Sequence, residues 1–189
     1  MNAEDFFLGV LASLCASAAF VLLSRCAGWI RARPTEEYWL EDIPEFGKHR
    51  FSIGRFYYNK WGCNYCYDGT NFTSAGDVHY QWSSKMLSVH LTTHRVTYFY
   101  QLDYRDQIQN SRDGFGVMCF GESGKGIVLS HGYFVDCEDI TKPINHTLVP
   151  LSRVIAHVGF GRRAGEDMDT FHRRIVVEAY EKQLNIGKL

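Results

Sequence analysis

The chain has 189 residues and a formal net charge of −1 at pH 7, and 15% of its residues are aromatic. A net charge near zero disfavours the broad basic surface with which proteins bind nucleic acid polymers, although a few local arginines can still hold a small anion. The aromatic content favours β-structure over a helical bundle or a disordered chain.

The first predicted element is an apolar helix over Phe6–Leu23, a stretch without a charged residue. At ~1.5 Å per residue this helix covers ~27 Å, close to the ~30 Å hydrocarbon core of a bilayer. A cleaved signal peptide begins with basic residues, but here Glu4 and Asp5 come first. A buried helix this uniformly apolar needs a larger protein around it. We therefore predict a membrane helix with a basic flank in residues 1–33.

Three arginines follow the apolar helix, at positions 25, 31 and 33. Because lysine and arginine next to a membrane helix resist translocation, they predict a single-pass membrane protein with its C-terminal domain in the cytoplasm. The helix also carries small residues, which let two membrane helices approach closely and associate with one another. The predicted helix-packing residues are Gly9, Ala12, Ser13 and Ala16.

Residues 34–47 combine acidic residues with two prolines and predict a connector between the membrane helix and a folded domain. From residue 48 onward, aromatic and β-branched residues alternate with polar ones, and turn signals recur about every ten positions. The eight predicted strands are residues 49–58, 63–67, 78–82, 87–91, 96–102, 115–120, 126–136 and 148–158. The dipeptide Asp68-Gly69 is interpreted as a turn.

Sequential hairpins with short turns favour a closed up-and-down barrel over residues 48–158, because closure removes exposed strand edges. Residues 159–189 begin with a glycine- and arginine-rich linker and continue with apolar residues at helical spacing. Asp167 or Asp169 is the expected N-cap of this C-terminal amphipathic helix. The predicted fold is therefore mainly β: a transmembrane helix, a roughly eight-stranded barrel and a C-terminal helix.

No pattern in the chain indicates catalysis or metal binding. Cys63 and Cys66 form a single C-x-x-C without the second close pair of a structural zinc site. His90 and His94 on a strand lie ~13 Å apart at ~3.3 Å per residue, too far to share one ion. The enzyme alternative is a sortase-like cysteine transpeptidase with Cys119 as nucleophile, but the sequence around Cys119 differs from that family's motif.

Aromatic residues at alternate positions of neighbouring predicted strands share a face and form a candidate ligand site. Such rings stack nucleobases at ~1–3 kcal/mol each, and arginines bind phosphates in bidentate fashion. The alternative is that they fill the barrel interior, as aromatic residues do in many barrels. The predicted ligand-binding residues are Tyr67, Tyr80, Trp82, Tyr98, Tyr100, Arg95, Arg105 and Arg153.

Three short motifs follow the membrane segment: Val-Thr-Tyr98-Phe-Tyr100, Gly114-Phe-Gly116-Val-Met and Ser130-His-Gly132-Tyr133-Phe134. In this order they resemble the β-strand-rich transmembrane effectors of bacterial anti-phage defence, the SMODS-associated two-transmembrane effectors of CBASS and their Panoptes-type relatives. The resemblance covers most of residues 1–158 and rests on aromatic and glycine spacing. That family has two membrane helices, whereas residues 1–33 hold one here, so either this is a one-helix variant or its gating differs.

The resemblance implies a barrel that binds a cyclic di- or oligonucleotide made by a partner nucleotide cyclase, and a membrane segment that disrupts the inner membrane. It implies no cofactor and no nucleic acid polymer as partner. The ligand either activates the effector or holds it inactive until the nucleotide is depleted. The alternative binding function is that of a lipocalin-like barrel that holds a lipid or haem-like molecule.

Overall fold

The computed structural model describes residues 2–32, 35, 38–45, 48–103, 113–123, 126–159 and 161–189. It contains an N-terminal helix, a closed antiparallel barrel of eight strands and two further helices. In chain order the elements are α1 (Ala3–Arg31), β1 (Tyr38–Glu45), β2 (Lys48–Asn59), β3 (Asn64–Phe72), β4 (Val78–His90), β5 (Arg95–Asp103), β6 (Asp113–Ser123), β7 (Gly126–Asp136), β8 (Asp139–Pro150), α2 (Leu151–Val158) and α3 (Met168–Glu181), followed by a 3₁₀ turn (Ile186–Lys188).

Helix α1 is the one described helix that is long and apolar enough to cross a membrane, and the apolar stretch within Glu4–Gly28 is not buried against the rest of the protein. Its polar residues are compatible with lipid, because Ser17 donates a hydrogen bond to the Ser13 carbonyl and Ser24 donates to that of Val21. The four predicted packing residues lie exposed on this helix. Their role in self-association stays a prediction.

The barrel confirms the predicted fold class. Each strand pairs with the next in sequence, and β1 closes the barrel by pairing with β8 from Trp39 opposite Pro150 to Asp42 opposite Thr147. Two apolar clusters follow from this closure. One fills the barrel interior around Phe56, Tyr67 and Met118, and the other lies between the outer surface of the barrel and the two C-terminal helices.

Several predicted boundaries are wrong. The connector predicted at residues 34–47 contains β1, so the barrel begins at Tyr38 rather than residue 48. The strand predicted over residues 148–158 ends at Pro150, and Leu151–Val158 is helix α2. Residues 78–82 and 87–90 belong to one strand, β4, whose register shifts between Ser84 and Met86. The Asp68-Gly69 dipeptide is not a turn, because both residues lie within β3.

The predicted amphipathic helix at the C-terminus is α3, and Asp167 caps it by accepting a hydrogen bond from the Thr170 amide at 2.9 Å. Its apolar side packs on the outside of the barrel. Tyr180 holds α3 on the barrel, because its hydroxyl accepts a hydrogen bond from the Phe51 amide and donates one to the Phe72 carbonyl, both at 3.1 Å. Helix α3 thereby covers the ends of β2 and β3.

Candidate functional site

Four of the five predicted aromatic ligand residues, Tyr67, Trp82, Tyr98 and Tyr100, lie together inside the barrel. Side chains at alternate positions of a strand point to the same face, and all four of these point into the barrel. The alternation in the sequence therefore correctly predicted that these four side chains lie together. The ring centroids of Tyr67 and Trp82 are 4.4 Å apart, and those of Tyr67 and Tyr98 are 5.5 Å apart. The fifth residue, Tyr80, is half-buried beside them. These rings are packed against each other as a core.

Glycines on neighbouring strands make room for these rings. Gly116 lies opposite Tyr98 and Gly114 lies opposite Tyr100 across β5 and β6, and an added Cβ at either glycine would overlap the tyrosine ring. The same relation joins Gly69 to Trp82 across β3 and β4. The aromatic residues and the glycines in the sequence motifs therefore pack against each other across neighbouring strands.

The space left among the interior rings is small. A cavity of about 50 Å³ is lined by Glu41, Ile43, Tyr67, Tyr80, Trp82, Tyr98, Tyr100, Leu102 and Phe134. Because one water occupies ~30 Å³ of liquid, such a cavity has room for a water or two but not for a nucleobase. A ligand role for these aromatic residues stays a prediction, and it requires the interior to open.

A buried ionisable pair lies in the same interior. The carboxylate of Glu41 contacts Nδ1 of His146, and both side chains are almost completely buried. The Tyr67 hydroxyl has no hydrogen-bond partner among the described residues. Burial, and then the negative charge of Glu41, raise the pKa of Tyr67 and Tyr98 well above the ordinary value, so both remain neutral phenols.

The predicted arginines do not meet the aromatic cluster. Arg95 is exposed at the start of β5, and Arg153 on α2 donates a 3.4 Å hydrogen bond to the carbonyl of Leu189. Neither of them lines the interior cavity. Arg105 lies outside the described residues.

A much larger space lies on the outside of the barrel, where α3 stops short of covering β3 and β4. This groove has a volume of about 750 Å³. It is lined by Tyr38, Ile53, Arg55, Asp68, Gly69, Thr70, Phe72, Val78, Gln81, Trp82, Ser83, Lys85, Gln101, Leu102, Met168, Asp169, His172 and Arg173. Among the described residues, Trp82 is the one predicted ligand residue in this lining, and the groove is of a size that holds small-molecule ligands in other proteins.

Strand register places a row of polar side chains across the floor of the groove. Arg55 pairs with Asp68, Asp68 with Ser83, and Ser83 with Gln101, so four successive strands present polar groups at one level. Helix α3 forms the facing wall with Asp169, His172 and Arg173. The lining therefore offers hydrogen-bond donors and acceptors from two sides.

The groove has a surplus of positive charge, since Arg55, Lys85 and Arg173 face two carboxylates, Asp68 and Asp169. The guanidinium of Arg55 lies 4.4 Å from the centre of the Tyr57 ring, which orients it. The Tyr57 hydroxyl donates to Asp68 at 3.0 Å, and burial together with this carboxylate raises the pKa of Tyr57 to about 12. No ion pair is formed by Lys85 or Arg173 within the described part of the chain.

His172 forms part of the wall that α3 contributes. Its ring packs 4.8 Å from that of Tyr38, and its Nε2 atom has no partner among the residues that the structure describes. Burial lowers the pKa of His172, so the imidazole is neutral at pH 7 and leaves the cationic role to Lys85 and the arginines.

Comparison with known protein families, curated proteins and solved structures finds no match. Within the described ranges, no group of three or more histidine, cysteine or acidic side chains lies close enough to hold a metal ion.

Sequence reasoning missed most of the groove, including Arg55, Lys85 and Arg173. The outward position of Arg55 and Lys85 follows from the same alternation that turned the aromatic residues inward, so the signal for these two residues was present in β2 and β4. The alternation does not predict the position of α3. Because α3 lies beside this polar surface of the barrel, the surface becomes one wall of a groove.

Proposed function

We propose that this chain is a membrane-anchored sensor whose outer groove binds a cyclic di- or oligonucleotide. The observation that carries the proposal is the groove itself: about 750 Å³, bordered by Arg55, Lys85 and Arg173. Two phosphodiester charges are met by two or three cations, and arginine binds phosphate through paired hydrogen bonds. The amides of Gln81 and Gln101 provide donors and acceptors for base edges.

In this proposal α1 spans the inner membrane and the barrel lies on the cytoplasmic side, where a partner nucleotide cyclase supplies the ligand. Arg25 and Arg31 at the barrel end of α1 support this orientation through the positive-inside preference. The chain then acts as an anti-phage effector, as the resemblance implies, with the membrane segment as its output. Binding controls that output if the ligand has different affinities for two states of the membrane assembly.

Charge reversal in the groove tests the ligand site. Replacing Arg173 with glutamate is expected to weaken binding at least tenfold, about 1.4 kcal/mol, because a phosphate contact becomes a repulsion. Lys85→Glu should act in the same direction. The measurement is calorimetry of the detergent-solubilised chain with a panel of cyclic dinucleotides and trinucleotides. Lys188→Glu is the matched control, since Lys188 is exposed outside the groove.

A second variant separates the groove from the interior. Tyr98→Phe removes a hydroxyl inside the barrel and leaves the groove lining intact. We expect unchanged affinity for this variant. Loss of binding in Tyr98→Phe, with full binding in Arg173→Glu, would place the ligand inside the barrel instead. An absence of binding across the whole panel would remove the nucleotide-sensor proposal.

Membrane topology is tested by reporter fusions to Leu189. A fluorescent protein that folds only in the cytoplasm is expected to be bright in this position, and alkaline phosphatase, which needs the periplasm, is expected to be inactive. Replacing Arg25 and Arg31 with glutamine should reduce the difference between the two reporter signals, because the basic residues after α1 determine its orientation in the membrane. Phosphatase activity in the unaltered chain would place the barrel outside the cytoplasm and away from the proposed nucleotide.

A further inference from the structure

The structure holds the barrel close to the end of α1. Helix α1 ends at Arg31, and Thr35 is already attached to the barrel: its hydroxyl donates to the Phe56 carbonyl at 3.0 Å, and its backbone bridges to Ile127. Four residues span at most ~14 Å even when fully extended. The barrel is therefore too close to the helix to move freely on a long tether.

A second contact lies at the same place. The turn between β2 and β3 packs beside the last turns of α1, where a methyl group on Gly28 would lie 3.1 Å from the Tyr58 hydroxyl and 3.9 Å from Cys63 Cβ. Helix α1 is 29 residues long, or ~43 Å, which matches the ~40–45 Å of a bilayer with its headgroups. When α1 spans, Gly28 and the turn beside it lie at headgroup depth.

Two turns at this end of the barrel carry exposed apolar side chains. Trp61, at the tip of the turn between β2 and β3, is 85% exposed, and Leu91, in the turn between β4 and β5, is 43% exposed. Both turns lie at the same end because β2 with β3 and β4 with β5 are consecutive hairpins of one up-and-down barrel. Lys60 and Arg95 lie next to these tips in sequence.

From this arrangement we propose that the α1 end of the barrel docks on the bilayer, with Trp61 and Leu91 inserted in the headgroup region of the membrane that α1 spans. Tryptophan favours this depth because its ring is apolar and its N–H is polar, and cations beside it attract anionic lipid. The docking surface is continuous with the lipid-exposed surface of α1. The inference rests on the proposed membrane insertion of α1, not on the nucleotide.

Depth-dependent quenching of tryptophan fluorescence tests the docking. The full chain is reconstituted in phosphatidylcholine and phosphatidylglycerol vesicles that contain a nitroxide either on the lipid headgroup or deep in the acyl chain. We expect the headgroup nitroxide to quench a component of the emission that is lost in Trp61→Phe. The deep nitroxide should affect the unaltered chain and Trp61→Phe equally. Because Trp61 is exposed, the substitution leaves the core unchanged.

The matched control places a tryptophan at the other end of the barrel. Ile140 is 68% exposed at the start of β8, beside the turn from β7 and away from α1. Ile140→Trp in the Trp61→Phe background is expected to escape headgroup quenching. Equal headgroup quenching of the unaltered chain and Trp61→Phe would overturn the docking, and so would quenching of the tryptophan at position 140.

Extraction of the same vesicles with alkaline carbonate separates the two proposals. A chain that stays in the membrane while Trp61 remains unquenched contradicts the docking alone. Release of the chain into the carbonate supernatant contradicts membrane insertion, and with it both the docking and the membrane-anchored function.

Discussion

Replacing Glu41 with leucine is expected to destabilise the barrel by about 3 kcal/mol, because it removes the partner of a buried imidazole. His146 is fully enclosed, and Nδ1 of its ring contacts the Glu41 carboxylate. The Nε2 atom already has no partner among the described residues. Without Glu41, both ring nitrogens are left unsatisfied in an apolar interior.

The double variant Glu41→Leu/His146→Leu is expected to recover more than half of this loss. Replacing both members of a buried polar pair by apolar side chains is often close to neutral, whereas removing one is not. Urea unfolding of the detergent-solubilised chain, followed by the emission of the buried Trp39 and Trp82, measures all the variants. An additive double variant would show that the pair does not act as a unit.

The exposed pair of Lys142 and Asp139 provides the matched control, since its nitrogen and oxygen lie 2.8 Å apart at the surface. Lys142→Ala breaks that ion pair in solvent, and we expect no measurable change in stability. A similar loss in Lys142→Ala and Glu41→Leu would mean that burial is not the cause.

The Glu41–His146 pair also explains why β1 was missed in the sequence. Residues 38–45 contain Glu41, Asp42 and Pro44, a composition that is typical of a connector. Their partners are distant: His146 lies 105 positions away, and Asp42 accepts a 2.8 Å hydrogen bond from His49 on β2. Local composition contains no information about such pairing, so charged residues in a closing strand are interpreted as solvent-exposed.

The predicted number of strands, eight, is correct, but only because two errors in the strand assignment cancel. The missed strand β1 was offset by the division of β4 in two, at the register shift beside Lys85. Gly69 was interpreted as a turn because aspartate followed by glycine favours one. In the folded chain its missing side chain leaves space for the ring of Trp82. Both errors concern cross-strand contacts, which a single strand does not reveal.

Period two was sufficient to place the aromatic residues on one face, but not to decide what that face contacts. A row of inward rings is equally suited to a ligand pocket and to a packed core. The difference is decided by the residues opposite. Trp82, Tyr98 and Tyr100 each lie opposite a glycine, and their rings occupy the space that a side chain there would need. The groove could not be predicted from the strands alone. Its outward polar residues resemble any solvent-exposed surface, and only the position of α3 beside them forms a groove.

Gly116→Ala is expected to destabilise the barrel by about 3 kcal/mol, near the upper end of the cost of overpacking a core. The new Cβ would overlap the Tyr98 ring. That ring is held in place, since its centroid lies 5.5 Å from that of Tyr67 and 6.1 Å from that of Tyr100. The change therefore forces several rings or the backbone of β6 to move.

Gly121→Ala is the matched control in the same strand, because Gly121 is exposed and an added Cβ there meets no atom within 4 Å. We expect its stability to change by less than about 0.5 kcal/mol. Combining Gly116→Ala with Tyr98→Leu should be less harmful than the sum of the two single changes, because the shorter side chain yields the space that the methyl group needs. Urea unfolding measures the free energy of unfolding of Gly116→Ala, Gly121→Ala, Tyr98→Leu and the double variant relative to the unaltered chain.

The outcome at Gly116 also bears on the choice between the two candidate binding sites, the barrel interior and the groove. A barrel that accepts Gly116→Ala without loss has an interior that rearranges easily, and such an interior can open from about 50 Å³ to admit a base or a lipid-like molecule. A barrel that is strongly destabilised has a rigid interior, in which Tyr98 and Tyr100 hold the strands in place. In that case a ligand of nucleotide size must bind outside the barrel, and the groove beside α3 has the volume and the cations to hold it.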